Sequence, residues 1–286
     1  MSTYTGDATR GVLDSLSQFV KTNYGYDAGT YENTEASLDA EKFFLKLDYN
    51  IAQGHKLSVR HQYSKGRSIS PGVSAKDKIN FSNTGNDFTS KTNSTTAELK
   101  SIFGSQYANK LRLVATFVND DRDPMGANFP YLSFTKGMVN MGSDPFSTAN
   151  ILKQKVFSFT DDFSIYLGKH NITVGMHHEY YNMYNVFIGN NFGSYTFDSI
   201  SGFMAGNPAS GYEHSFSLVD NITGDETKGA AEFNVLQMGF YAQDNFQVSD
   251  GFSLIAGLRV DVPMFLDKPK ERDRKSTRLN SSHRIR

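Results

Sequence analysis

One cluster of metal-binding residue types stands out, formed by His177, His178 and Glu179. Adjacent residues of a β-strand point to opposite faces, so the two imidazoles cannot converge on one ion. The sequence also contains no Gly-x-Ser-x-Gly, no glycine-rich phosphate loop and no His-Glu-x-x-His, which are motifs of nucleophilic, nucleotide-dependent and zinc-dependent catalysis. We therefore expect no enzyme, no cofactor and no metal centre.

A second candidate is an acidic stretch that partly matches a calcium-binding loop. Asp121, Asp123 and Gly126 correspond to loop positions 1, 3 and 6. Position 5 is Met125 and position 12 is Leu132, so the loop lacks the bidentate carboxylate that completes such a site. A solvated acidic loop, paired internally through its arginine, is the better interpretation.

Composition limits the possible classes of protein. The 286 residues include no Cys, which excludes disulfides and thiolate metal sites. Residues 268–286 hold eight Lys or Arg and two acids, so the rest of the chain is net acidic and a nucleic-acid partner is not expected. No apolar run is long enough for a transmembrane helix. The start has no basic and apolar leader, which indicates a cytosolic or incomplete chain.

Alternation of apolar and polar residues is the strongest pattern along the chain, and it predicts β-strands with one apolar face. Most of these strands span 9 to 13 residues, which suits a tilted strand crossing a bilayer (roughly 9–11 residues) better than a strand of a soluble protein. Eight strands are predicted, at 41–51, 55–65, 94–103, 110–119, 155–167, 171–181, 233–246 and 252–262.

Their connections alternate strictly in length. Short ones are predicted at 52–54, 104–109, 168–170 and 247–251, and long ones at 66–93, 120–154 and 182–232. Outer-membrane barrels have short periplasmic turns and long external loops. We therefore predict an all-β, antiparallel up-and-down meander that spans a membrane. Aromatic residues near strand ends fit interfacial girdles, or simply the strand preference of aromatics: Phe43, Tyr49, Tyr63, Phe103, Phe117, Phe157, Tyr180 and Phe252.

Two short helices are predicted outside the strands. The first covers Asp14 to Lys21, where apolar residues recur at helical spacing behind a possible Asp14 cap. The second covers Asp198 to Ala205 and ends before Gly206 and Pro208.

The last predicted hairpin carries a family resemblance. Residues 239–246 and 254–263 closely resemble the mid-barrel hairpin of TonB-dependent receptors, which reads Tyr-x-Gln-Asp-x-Trp and then Leu-x-x-Gly-Leu-Arg-x-Asp-x-Pro. Phe246 replaces the commoner Trp, and Val260 replaces a frequent Tyr. The matching residues are Tyr241, Gln243, Asp244, Gly257, Leu258, Arg259, Asp261 and Pro263.

Further segments, at 23–27 and 119–130, resemble the Oar-like branch of this family in Bacteroidetes. The resemblance implies a barrel of about 22 strands in the outer membrane of a Gram-negative bacterium. Such a barrel holds a plug and imports a scarce ligand with energy delivered by TonB. Eight strands fall far short of that number, so we expect a fragment without plug or TonB box. Its expected parts are residues 1–40, with a short helix, leading into the barrel, a partial barrel at 41–266 and a basic tail at 267–286, which is either non-native or a basic external loop.

Ligand capture is expected in the long loops, where charged and aromatic side chains suit a polar or aromatic ligand. The alternative, that the aromatic residues only hold the long loops in a compact shape, is somewhat favoured because long loops need internal packing. The ligand itself, a small molecule or a polymer, stays open among siderophore, glycan, peptide and vitamin. Two other readings remain: a complete eight-stranded barrel acting as an adhesin or structural protein, and a soluble lectin or glycosidase sandwich. The candidate ligand-facing residues are Asp120, Asp121, Arg122, Asp123, Tyr184, Phe187, Tyr195 and Tyr212.

Overall fold

The computed structural model describes residues 8–136, 138–217 and 225–268, which form two β-sheets and two α-helices. The helices are α1 (Arg10–Tyr24) and α2 (Ile200–Met204). In chain order the strands are β1 (Ser37–Ala52), β2 (His55–Ser70), β3 (Ile79–Asn80), β4 (Asn86–Phe103), β5 (Tyr107–Pro124), β6 (Tyr131–Phe134), β7 (Val139–Met141), β8 (Asn150–Leu167), β9 (His170–Phe187), β10 (Ser194–Phe197), β11 (Gly211–Glu213), β12 (Ala231–Ser249) and β13 (Phe252–Phe265).

The larger sheet, called the main sheet below, is an antiparallel meander of eight strands in the order β1-β2-β4-β5-β8-β9-β12-β13. It confirms the predicted fold class and all eight predicted strands. The strands are longer than predicted, up to the 19 residues of β12, and most of the added length lies toward the long connections. The short turns therefore shrink to 53–54, 104–106, 168–169 and 250–251, and the long connections to 71–85, 125–149 and 188–230.

Register gives the main sheet two faces of opposite character. Phe43 is paired with Tyr63 and Leu47 with Val59, and the row continues to Ala97; this side is the apolar face. The alternate positions form the polar face, where Lys46 is paired with Arg60. The apolar side chains are largely uncovered in the structure, as expected where lipid rather than protein covers them.

The main sheet is open. In the described part of the chain, β1 pairs only with β2 and β13 only with β12, so the first and last strands each leave one edge unpaired. The closed eight-stranded barrel considered from the sequence is therefore not what forms. No helix among the described residues has the length and apolarity to cross a membrane.

The three long connections and the N-terminal segment fold together at one end of the main sheet. Five short strands build a second sheet in the order β11-β10-β6-β7-β3, in which β10 pairs parallel to β6 and β3 parallel to β7. Together with α1, α2 and the other described residues of these segments, this sheet forms a unit that we call the cap. None of the five short strands was predicted from the sequence, because strands of two to four residues show no alternation.

The cap contains the buried core of the chain. In α1, Leu13, Leu16 and Val20 recur at helical spacing and are buried. The helix is capped by Thr9, not by Asp14 as expected, and Gly25 ends it with φ +68°, a conformation that glycine adopts without strain. The apolar side chains of α1 join those of the second sheet and of α2, including Phe134 and Phe203.

One sequence expectation about this end of the molecule changes and another is confirmed. Residues 120–123 were assigned to a loop, but they belong to β5 and pair with residues 87–90 of β4; polar residues on both faces hid the strand from the alternation test. The helix predicted at 198–205 is confirmed as α2, capped by the Ser199 hydroxyl. Most of the expected basic tail, residues 269–286, lies outside the described residues.

Candidate functional site

The residues of the last hairpin form one charged and aromatic cluster on the polar face. Tyr241 donates its hydroxyl hydrogen to the Asp162 carboxylate, and Lys110 Nζ lies 2.9 Å from the same carboxylate. The Arg259 guanidinium lies 5.4 Å from the centre of the Tyr241 ring. It also donates from Nε and Nη2 to Asp261 at 2.8 and 2.7 Å. The side chains of the cluster thus connect β5, β8, β12 and β13, and the contact between Tyr241 and Asp162 passes over β9.

Two glycines make room for this cluster. Gly175 is paired with Tyr241, and a Cβ on Gly175 would come within 2.5 Å of the tyrosine ring. A Cβ on Gly239 would come within 2.6 Å of Arg259 Nη2 and 2.8 Å of Asp261 Oδ1. Both glycines are needed for close approach of large side chains. Neither glycine was singled out from the sequence, although each lies inside a predicted strand.

The polar face continues toward β1 with further ion pairs. Arg112 donates to Glu98 at 2.6 and 2.9 Å, and the Glu98 side chain is only 17% exposed. Lys46 and Lys56 both lie near the Asp48 carboxylate, at 3.0 and 3.4 Å. The polar face thus carries a series of ion pairs, which is typical of a barrel interior filled with water or protein and not of a surface in contact with lipid.

The remaining motif residues are divided between the faces. Asp244 lies on the apolar face near the short turns, where its Oδ2 is 2.6 Å from His170 Nδ1. Leu258 is also on the apolar face and is 75% exposed. Gln243 pairs with Gly257, and Gln237 pairs with Pro263, both on the polar face.

The histidine pair is split as predicted. His177 lies on the polar face, 2.8 Å from the Thr160 hydroxyl and 3.5 Å from Glu179. His178 lies on the apolar face beside Phe159 and Phe240. Among the described residues, no three His, Asp or Glu side chains are grouped so that they could hold a metal ion.

The acidic segment of β5 places its four residues on both faces. Asp120 and Arg122 share the polar face, and Asp121 and Asp123 share the apolar face beyond its apolar band. Arg122 donates to Ser147 at 3.0 Å and to Asp144 at 3.3 Å, in the connection before β8. Arg122 therefore ties the cap to the main sheet.

The four candidate aromatics form two separate sets. Tyr195 and Tyr212 lie in the cap with ring centres 4.7 Å apart, and Tyr212 is 57% exposed. Tyr184 and Phe187 belong to β9, and Lys153 Nζ lies 5.3 Å from the centre of the Tyr184 ring. The eight candidate residues thus do not share one surface.

A polar cleft of about 430 Å³ opens between β5 and the cap. Asp123, His214 and Glu226 line it, together with the aromatic rings of Phe192 and Phe216. Charged and aromatic groups around one cleft can bind a polar ligand. His214 and Glu226 were not singled out from the sequence, because the connection from β9 to β12 gave no periodic signal.

Comparison with known proteins identifies the setting of this sheet. Residues 10–283 match the family model described as an outer membrane beta barrel domain. The chain therefore belongs to this family and lies in the outer membrane of a Gram-negative bacterium. No curated protein matches the sequence.

Solved structures with a similar fold are outer-membrane transporters and receptors rather than enzymes. The outer membrane transporter YddB from Escherichia coli matches with TM-score 0.52 and 10% identity, over 80% of this chain and 28% of that one. The closed form of the ferric-catecholate import receptor Fiu from E. coli matches with TM-score 0.54 and 13% identity, over 83% and 35%. FpvA of P. aeruginosa, solved with heterologous pyoverdines, matches with TM-score 0.53 and 14% identity, over 82% and 31%.

These structures share the fold of this chain at low identity. The chain spans about a third of their length or less. The main sheet therefore has the architecture of part of an outer-membrane barrel, and barrels of this class turn their apolar face to lipid.

Proposed function

We propose that this chain is a segment of a TonB-dependent outer-membrane receptor that imports a scarce ligand into the periplasm. The observation that carries the proposal is the cluster of Tyr241, Arg259 and Asp261 on the polar face. The same residues carry the sequence resemblance to the family, and here they contact each other across one hairpin. The open edges of β1 and β13 support a place within a larger barrel of about 22 strands.

Sidedness follows from the two ends of the main sheet. The four short turns gather at the end opposite the cap, and barrels of this kind place short turns in the periplasm. The cap would then face outside, where ligand arrives. The partners of the whole receptor would be outer-membrane lipid, the TonB complex and the ligand. The Oar-like branch remains part of this proposal, supported by the sequence resemblance.

Ligand capture would involve the cap and the adjoining ends of the strands. Asp123 lines the polar cleft, and the exposed ring of Tyr212, beside the partly buried Tyr195, offers a stacking surface. Asp121, Tyr184 and Phe187 stay candidates at the strand ends. Asp120 and Arg122 face the interior, and Arg122 acts there by holding the cap.

The test is nutrient-dependent growth of a Gram-negative host that expresses the whole receptor containing this segment. Cells with and without TonB are supplied with ferric siderophores, cobalamin, oligosaccharides or peptides as the limiting nutrient. The proposal predicts a growth advantage on one nutrient class that disappears without TonB. An advantage that persists without TonB, or none on any nutrient while the receptor is inserted, would contradict it.

The variant Tyr212→Ala refines the test, because Tyr212 is exposed whereas Tyr195 packs against the cap core. It should weaken uptake while the amount of inserted receptor stays the same. Tyr49→Ala serves as the matched control, because Tyr49 is a similarly exposed tyrosine on the apolar face of β1.

A further inference from the structure

Basic residues on the apolar face of the main sheet are confined to one end. Lys65 is paired with Lys91, Lys91 with Asn119 and Asn119 with Lys153. Lys155 lies on the same face, paired with Phe117. We call Lys65, Lys91, Lys153 and Lys155 the lysine row.

The lysine row lies next to the apolar band, on the side of the cap. Two residues closer to the short turns, the same face carries Tyr63 and Phe43 and Phe117, which is paired with Asn93. Phe117 and Phe157 contact each other at 5.8 Å. Aromatic rings at this depth mark the boundary between the hydrocarbon core and the headgroups. The lysine ammonium groups are therefore placed where lipid headgroups begin.

The charges of the lysine row are only partly neutralised by the protein. Lys65 Nζ lies 3.6 Å from Glu41, and Lys153 contacts the Tyr184 ring. Within the described parts of the chain, neither Lys91 nor Lys155 has an ion pair with a carboxylate. Both are exposed, so their charges are available to an outside partner.

Acidic residues on the same face lie mostly farther from the membrane. Asp87 is paired with Asp123, and Asp121 with Thr89, beyond the lysine row toward the cap. Arg67, at that level, is bound to Asp87 at 2.5 Å. On the cap side of this face, charge is thus sorted by height, with lysines against the apolar band and carboxylates above them, apart from Glu41, which is paired with Lys65.

The opposite end of the apolar face provides an internal comparison. At the short turns it carries His55 and Phe103, in contact at 5.3 Å, and Tyr107 and Phe163, stacked at 6.0 Å. Across the described strands, the apolar face has no Lys or Arg at this end. A general need for solubility would not place lysines at only one boundary.

We propose that the lysine row binds the phosphate groups of phosphorylated lipid headgroups on the cap side of the membrane. Ammonium groups at a membrane boundary attract anionic headgroups, and lysine is a common phosphate-binding residue. The single-sided row would fix the depth and orientation of the sheet in an asymmetric bilayer. This proposal rests on the membrane setting of the family and not on the import function.

The test uses the full chain folded in a non-ionic detergent, with bound lipids counted by native mass spectrometry. Phosphatidic acid, which exposes a phosphate monoester, is titrated against phosphatidylcholine. We expect preferential binding of phosphatidic acid. The variant Lys91→Gln with Lys153→Gln and Lys155→Gln should weaken that binding by about tenfold or more and leave phosphatidylcholine binding unchanged.

The control variant carries Lys42→Gln, Lys46→Gln and Lys56→Gln, which remove the same charge from the polar face. It should bind phosphatidic acid as the unaltered chain does. A charge-preserving variant, Lys91→Arg with Lys153→Arg and Lys155→Arg, should retain binding, and it tests the proposal on its own if the glutamine variant fails to fold. Equal binding in the glutamine variant, equal loss in the control, or lost binding in the folded arginine variant would overturn the proposal. Displacement by inorganic phosphate alone would also overturn it, because the site would then recognise free phosphate rather than a lipid.

Discussion

The cap and the main sheet bury apolar side chains against different partners. In the cap, Leu16, Val20, Phe81 and Phe134 are fully buried by other residues of the chain. On the apolar face of the main sheet, Leu258 and its neighbours remain exposed. An apolar surface of that extent needs a cover, and in an outer-membrane barrel that cover is lipid. One chain thus contains a region that folds as a water-soluble protein does and a region that requires a membrane.

The largest expected effect comes from removing an aromatic ring from the cap core. Phe203 is 8% exposed, and its ring contacts Phe197 at 4.8 Å and Phe134 at 5.5 Å. Phe203→Ala should destabilise the cap by about 3–5 kcal/mol, since it leaves a cavity. Amide hydrogen exchange should show faster exchange in the second sheet and α1, and unchanged exchange in the main sheet.

Phe252→Ala is the control for that experiment, because Phe252 is 57% exposed on the main sheet. It should leave cap exchange unchanged. Equal acceleration of exchange in both sheets after Phe203→Ala would show that the cap and the main sheet unfold as one unit.

A side chain at Gly175 should affect the main sheet and not the cap. Gly175→Val places carbon atoms where the Tyr241 ring lies, and such overpacking costs about 1–3 kcal/mol. Thermal unfolding in detergent should occur at lower temperature. Gly251→Ala is the matched control, because a Cβ on Gly251 meets no atom within 4 Å. An unshifted transition in Gly175→Val would refute the close packing of Tyr241.

Alkaline pH should distinguish the two regions with a smaller effect. Tyr26 is 2% exposed in the cap, and burial raises its pKa to about 12. Because the folded pKa lies above the unfolded value of about 10, this stabilisation is complete below pH 10 and is lost as pH rises toward 12. The free energy of unfolding of the cap should therefore fall by about 3 kcal/mol over that range, measured by cap exchange corrected for the intrinsic rise of exchange with pH.

Tyr26→Phe removes the titrating hydroxyl and should reduce this pH dependence. The remaining dependence is expected from Tyr131, whose pKa burial also raises to about 12. An unchanged pH profile in the Tyr26 variant would mean that its hydroxyl does not control the stability of the cap.

The same contrast explains what the sequence could and could not predict. The main sheet could be predicted from the sequence because membrane strands alternate over many residues, as in 41–51. The second sheet of the cap could not be predicted, because its short strands β6 and β10 pair across more than sixty residues of chain. The motif residues were recognised from sequence, but the partners of Tyr241 in the cluster, Asp162 and Gly175, depend on register between strands.

The central claim is that the apolar face of the main sheet contacts lipid while the polar face does not. The chain has no native cysteine, so single cysteines with an attached bimane fluorophore report one position each. In β5, probes at Leu113 and Ala115 lie on the apolar face, and probes at Val114 and Thr116 on the polar face. In vesicles, brominated lipid should quench the first pair and aqueous iodide the second. Quenching by lipid that is equal at all four positions would contradict the account.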